Sequence, residues 1–291
     1  MITTKTKKAI ERLREQLRSG VQGPKMGQQT RMEPKAAVLW QAALILEGRR
    51  GIITRSQTKL DKASGTKTGY VNRGLTLSSA NEAAFIVGRG FTTCPNATAS
   101  CRVACVGSKT GQGALPSSKI ARIGRTLAML ADSERFNALL DYEIESERMR
   151  CAVFGFKLAF RFNVASDLWA LANECAERNP LVTFYDYSAV PAAFDSPSGV
   201  RRVYSRKNGK ASAARALGML ERGVGVSVVF AVSKKDVLPL QWNGVPVIDG
   251  DINDLWFLRA PKSGAFVVGL RVKGSNKQKQ QAIDSGFAVA A

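Results

Sequence analysis

Histidine is absent from this 291-residue chain. That absence removes the side chain that most often moves protons near neutral pH, and the commonest ligand of zinc. A Ser-His-Asp or Cys-His catalytic site, a Cys2His2 finger and a histidine-dependent nuclease are therefore all excluded. Any bound metal must rely on thiolates, carboxylates or non-protein ligands. Acidic residues are also scarce: 23 Asp and Glu stand against 43 Lys and Arg, a formal charge of +20. So one-sided a balance points to a polyanionic partner, nucleic acid first and DNA ahead of RNA. Long apolar runs are missing as well. No stretch approaches the roughly 20 residues of a membrane span, so no membrane partner is expected. Five cysteines are an odd number, and no secretory signal opens the chain. Both features predict reduced thiols and a cytoplasmic location.

What is present is concentrated first in the loop 92–107. Cys94, Cys101 and Cys105 fall within twelve residues, in the pattern C-x6-C-x3-C, among Pro, Asn, Thr and Ser. Thiolates so close in sequence can converge on one soft metal ion or an iron–sulfur cluster. If a helix begins at Cys101, it and Cys105 share one face, a turn apart. The spacing matches no standard zinc finger, and a disulfide or three unrelated small residues are the plainer alternatives. The three are taken as candidate metal ligands, for a [4Fe–4S] cluster or for zinc. Cys151 and Cys175 have apolar neighbours and read as buried thiols.

Residues 1–70 carry 15 Lys and Arg against 5 Asp and Glu. Ile10, Leu13 and Leu17 make an apolar stripe along a helix at 5–18, and Val38, Leu39, Ala42 and Ile45 do the same for 34–46. Residues 49–70 are rich in Gly, Ser, Thr and Lys. The region 1–70 thus reads as a basic, mainly helical or flexible N-terminal extension. Its candidates for phosphate contacts are Lys5, Lys7, Lys8, Arg12, Arg14, Arg18, Arg49, Arg50 and Arg55.

Residues 71–291 read as an α/β domain. A short strand is expected at 75–78. A long helix at 118–149 should be capped by Ser117 or Ser118 and broken near Asp132–Ser133. Apolar strands then recur at 157–163, 181–186, 201–206, 226–232, 245–249 and 265–272. Near-continuously apolar strands alternating with helices predict parallel pairing covered on both faces, as in a complete, partial or open (β/α) barrel. Polar residues gather where each strand ends, and in a parallel sheet those ends share the rim where ligands bind. Asn163, Ser166, Tyr187, Ser205, Arg206, Lys207, Arg271 and Lys273 are the candidates for holding an anionic substrate. Asp167, Asp186 and Asp249 are candidates for proton transfer, ribose hydroxyls or a hard metal. Tyr185, Tyr187 and Trp169 could stack on a base.

The segments T-C-P-N-A-T-A-S-C-R-V-A-C-V-G, the Arg122/Arg125-Thr126 helix, R-F-N-V-A-S-D, F-Y-D-Y-S and V-Y-S-R occur in that order. They resemble the phage family called gene product 88 over about 75–272. The resemblance implies a phage or mobile-element protein working in the cytoplasm of the host cell, without implying a reaction. A looser similarity of layout, three cysteines after the first strand of a parallel barrel, is to radical-SAM enzymes. The spacing here departs from their C-x3-C-x2-C, and no Gly-Gly-Glu-type segment follows the second strand. Two functions are therefore carried forward. One is a nucleic-acid-binding protein with a basic arm and a cysteine-ligated metal at the rim. The other is an iron–sulfur enzyme acting on a nucleotide or other phosphate-bearing substrate, with S-adenosylmethionine as its conceivable cosubstrate.

Overall fold

Strands and helices alternate from residue 70 onward in the computed structural model, which describes residues 2–55, 58–61, 63–103, 105, 107–109, 111–195 and 197–291. Helices α1 (Thr4–Arg18), α2 (Met26–Gln29), α3 (Pro34–Leu46) and α4 (Thr58–Asp61) precede strand β1 (Tyr70–Gly74). Four helices follow it: α5 (Ala84–Val87), α6 (Ala99–Val103), α7 (Pro116–Ala131) and α8 (Ser133–Val153). Then come β2 (Lys157–Arg161), α9 (Trp169–Arg178), β3 (Thr183–Ser188), β4 (Val200–Ser205), α10 (Lys210–Glu221) and β5 (Val226–Phe230). The chain ends with β6 (Gln241–Trp242), β7 (Val245–Asp249), β8 (Val267–Arg271), α11 (Asn276–Asp284) and β9 (Ala288–Val289).

These strands form one sheet in the order β1-β2-β3-β4-β5-β8-β7-β6, with β9 added to β5. All pairings are parallel except β6 with β7. That hairpin turns at Asn243–Gly244, both at positive φ (48° and 75°), the pair that suits a tight two-residue turn. The expected parallel α/β series is therefore present, but the sheet is open and no barrel closes. The physical reason lies at its ends: β8 pairs with β5 and then with β7, so the hairpin occupies the edge that closure onto β1 would need. On β5 two neighbours share one side. β4 pairs with its start, at Val226 and Ser227, and β9 with its end, at Val229 and Phe230.

The first strand differs from the sequence pattern. It occupies Tyr70–Gly74, not 75–78, and Tyr70, Val71 and Arg73 in it are only half-buried. An edge strand of that kind shows little apolar periodicity. Leu75 and Leu77, which do show it, are fully buried just beyond the strand end. Leu75 keeps two backbone bonds to the β2 side, its N–H to Arg161 O at 3.0 Å and its carbonyl from Val164 N at 3.2 Å. The long helix breaks where expected. Asp132 ends α7 and its Oδ1 accepts from Arg135 N at 3.0 Å, so it caps α8. The start of α7 is different: Pro116 sits in the first turn and Leu115 at the cap, so Ser117 and Ser118 lie inside the helix.

Burial runs without a break across residue 70. Ile10, Leu17, Leu44 and Ile45 belong to the same buried cluster as Leu127, Phe136 and Phe160. Helix α3 is buried over most of its length, and it lies close enough to α7 that a Cβ at Gly124 would run into the Gln41 side chain. The opposite sheet face buries Ala159, Tyr185, Val203 and Val268 beneath Leu255, Trp256 and Phe257 of the β7–β8 connection.

Candidate functional site

The C-terminal strand ends, the cysteine loop and α11 surround a cavity of about 200 Å³. Its wall brings together most of the residues picked out by position alone. Cys94, Cys101 and Cys105 line one side. Asn163, Ser166 and Asp167 come from the turn after β2, and Tyr187 from β3. Ser205 ends β4 and Arg206 and Lys207 follow it, while Arg271 ends β8 and Lys273 follows it. Parallel pairing explains the gathering, because all these ends point the same way.

The N-V-A-S-D turn is tightly bonded. Asn163 Oδ1 accepts from Ser166 Oγ at 2.7 Å and from Leu168 N at 2.9 Å, and its Nδ2 donates to Asp186 at 2.5 Å. Asp167 accepts from Ser188 Oγ at 2.6 Å and Ala189 N at 2.9 Å, while its own N–H donates to Thr93 O at 2.8 Å. Thus Asp167 ties β2, β3 and the cysteine loop together. Burial raises its pKa above the ordinary carboxylate value, against the pull of these donors and of Lys207. Asn96, from the cysteine loop, adds a bond from Nδ2 to Ala189 O at 2.8 Å.

Two of the three candidate acids are not on the wall. Asp186 is fully buried beneath Asn163, where burial raises its pKa to about 7. Asp249 pairs with Arg271, Nη1 to Oδ2 at 2.9 Å, because the β7–β8 register sets the two strand ends side by side. The same register occupies the expected anion clamp: Arg271 also meets Asp251 at 3.4 Å, and Lys273 Nζ meets Asp251 Oδ1 at 2.6 Å. Arg206 and Lys207 make no ion pair among the described residues. Arg206 Nη1 donates to the carbonyls of Gly286 (3.1 Å) and Phe287 (3.3 Å), and its Nε is buried without a partner. Burial works against the Lys207 ammonium, but Cys101, Asp167 and Cys94 around it outweigh that and hold its pKa above the ordinary lysine value. Lys207 Nζ also donates to Ser205 Oγ at 3.2 Å.

Cys94 is the anchored thiol. Its sulfur accepts from Ala80 N at 3.3 Å and donates to Ala165 O at 3.6 Å, and burial pushes its pKa up to about 11. All five cysteines are free, so no disulfide closes the loop. Among the described residues, no group of three or more Cys, Asp or Glu side chains is drawn together as a metal site. The three sulfurs share a wall without converging. Cys151 and Cys175 are buried as expected, and burial pushes the Cys175 thiol up to about 12.

Several structural roles were not legible in the sequence. Arg161, near the end of an apolar strand, donates from Nη1 to Asp254 Oδ2 at 2.8 Å and lies 4.6 Å over the Tyr187 ring. Tyr185 joins this network, its hydroxyl bonded to Asp254 and Asn72, so it is a core group and not a stacking platform. Trp169 is half-buried at the start of α9, away from the cavity wall. Arg122 and Glu82 form a two-pronged pair at 2.5 and 2.6 Å, and Arg122 also donates to Gly113 O at 2.6 Å. Both flanks of the cysteine loop are thereby fixed to α7. A lone charge at the end of an apolar strand is the signal that could have found the role of Arg161; Arg122 stood among other basic residues of its helix, and its partner Glu82 lies 40 residues away.

The nine basic candidates of the N-terminal region divide. Arg14 and Arg18 both pair with Glu47 and Glu11, and Arg14 also with Asp132. Arg55 pairs with Glu147 at 2.9 Å, and Arg49 donates to the carbonyls of Leu17 and Val21. Lys5, Lys7, Lys8 and Arg12 are exposed on α1 and make no ion pair among the described residues; Arg50 is half-buried.

The family model described as gene product 88 matches residues 51–291. The chain belongs to the gene product 88 family. The match extends past 75–272 at both ends: it takes in β1, and the C-terminal α11 and β9 that border the cavity. Helices α1 to α3 precede it. No curated protein and no solved structure matches this gene product 88 chain. No helix among its described residues is long and apolar enough to cross a membrane.

Proposed function

We propose that this gene product 88 protein is an enzyme whose rim cavity holds a phosphate- or carboxylate-bearing molecule, a nucleotide foremost, beside a centre ligated by Cys94, Cys101 and Cys105. One observation carries the reading: three free thiols and two cations without carboxylate pairs, Arg206 and Lys207, face the same cavity. Lys207 would meet the anion, and Arg206 has a donor to spare in its buried, unpartnered Nε. The donor chemistry suits a soft metal, three free sulfurs on one loop beside the Lys207 ammonium. The sulfurs share a wall without converging, so the loop would have to draw them together around the centre. With three ligands the centre would keep one position open to the cavity, as an iron–sulfur cluster serving an enzyme needs. Such a cluster would supply one-electron chemistry. The run β1-β2-β3-β4-β5-β8 would act as an open, barrel-like unit, in keeping with the radical-SAM layout, and the cavity cations would suit the carboxylate of S-adenosylmethionine. The setting would be the host cytoplasm, where free cysteines stay reduced.

Metal and acid-labile sulfide analysis of anaerobically purified protein tests this, beside a Cys94/Cys101/Cys105→Ala variant. Iron and sulfide with a visible absorption band, lost in the variant, are expected. Stoichiometric zinc without sulfide would end the iron–sulfur reading. Absence of any metal from both proteins would overturn cysteine ligation.

A second reading, binding of DNA by the N-terminal helix, is favoured by the exposed, unpaired Lys5, Lys7, Lys8 and Arg12. Alanine at all four is expected to weaken DNA binding and flatten its salt dependence, by about 0.9 in slope for each phosphate that α1 no longer neutralises. Alanine at Arg14 and Arg18 is expected to act mainly on stability, since both are paired within the protein. A salt titration followed by anisotropy separates the two. An unchanged slope in the fourfold variant would remove α1 from the DNA contact.

A further inference from the structure

A second cavity, of about 420 Å³, lies against the cysteine loop. The two cavities share four lining residues: Cys94, Ala97, Cys101 and Cys105. The thiols thus stand between an inner space on the sheet and an outer space bordered by the start of α7. The outer space is basic. Arg102, Lys109 and Lys119 line it, all exposed and none in an ion pair among the described residues. Its carboxylate, Glu82, is already neutralised by Arg122.

Cations without an ion pair among the described residues, on both sides of one set of thiols, suit more than one anionic group. A free mononucleotide would use Arg206 and Lys207 and leave the outer three unused. A strand of linked phosphates would use both sets, since its repeating charges continue beyond the nucleotide held inside. The inner space of about 200 Å³ has room for the base of one unpaired nucleotide and not for a base pair, which would have to be opened first. Resting on the cavity reading above, we infer that the ligand of this site is single-stranded nucleic acid. One nucleotide enters the inner cavity beside the cysteines, and neighbouring phosphates lie along Arg102, Lys109 and Lys119.

The test uses the full chain with Lys5, Lys7, Lys8 and Arg12 already replaced by alanine, so that α1 does not contribute. Thymidine monophosphate, a short oligothymidylate and a short duplex are compared by calorimetry and fluorescence anisotropy. The oligomer is expected to bind at least about tenfold tighter than the mononucleotide and the duplex. Adding Arg102→Ala, Lys109→Ala and Lys119→Ala is expected to remove that advantage while mononucleotide binding stays unchanged. These three are exposed, so thermal melting should match the parent. Lys207→Ala is expected to weaken both ligands. If the mononucleotide binds but the oligomer binds no tighter, or the duplex binds as well as the oligomer, only the single-strand inference fails. If the mononucleotide does not bind and Lys207→Ala leaves the oligomer unaffected, the inner-cavity reading fails and takes this inference with it.

Discussion

Replacing Arg122 by methionine is expected to cost about 3–5 kcal/mol of stability, because it removes one partner of a buried, charge-assisted pair. Arg122 is only 2% exposed, and its guanidinium takes both oxygens of Glu82 as well as the carbonyl of Gly113. Methionine fills much of the same space but strands the Glu82 carboxylate and leaves that carbonyl without this donor. The second consequence is local. Glu82 lies before the cysteine loop and Gly113 after it, so both flanks lose this tie to α7 together, while the bonds of Ser78 to Thr126 remain. Urea unfolding would report the stability loss, and the rate of thiol labelling at Cys94 the loosening. Cys94 is the informative thiol because Ala80 and Ala165 hold it in a half-buried position. Restoring apolar balance with Met at both 82 and 122 is expected to recover much of the stability without restoring slow labelling. A single variant as stable as the parent, with labelling unchanged, would show that the pair does not organise the loop.

Stability is also expected to fall between pH 5 and pH 8, by about 2 kcal/mol, through Asp186. A chain without histidine offers few other groups that titrate in this window. Burial lifts the Asp186 carboxyl from its ordinary 3.8 to about 7, although Arg161, the Asn163 amide and Arg202 pull it down. A carboxyl with a raised folded pKa holds its proton more tightly in the native state. Its contribution is therefore fully present below 3.8 and is lost as pH rises through about 7. Asp167, raised by burial as well, adds in the same direction. Denaturant unfolding at pH 5, 6, 7 and 8 measures the slope, and Asp186→Asn should flatten it even though it lowers stability throughout by losing an acceptor. A slope that persists in the variant would assign the titration elsewhere.

The loop cysteines, the N-V-A-S-D turn and the S-R-K segment could be placed on one rim from sequence because each follows an apolar strand, and parallel strands end on the same side. Strand β1 was displaced by five residues for a comparably simple reason. At the sheet edge Tyr70, Val71 and Arg73 need little burial, while Leu75 and Leu77, buried beyond it, imitate a strand. The roles of individual polar groups were less legible. Arg271 and Lys273 looked available for a ligand until β7, distant in sequence, delivered Asp249 and Asp251 beside them. Arg14, Arg18 and Arg55 looked like phosphate contacts until Glu47 and Glu147 met them across the fold.

By itself, then, the sequence determined which chemistries are closed to this protein, how many thiols its loop offers and that its strands run parallel between helices. Those properties depend on side-chain type and on periods of a few residues. The tertiary structure alone decided that the sheet stays open, that Asp186 sits beneath the site and not in it, and that Arg206 and Lys207 keep free charge while Arg271 does not. Pairing, burial and proton affinity depend on which distant residues arrive within a few ångströms, and strand order sets that.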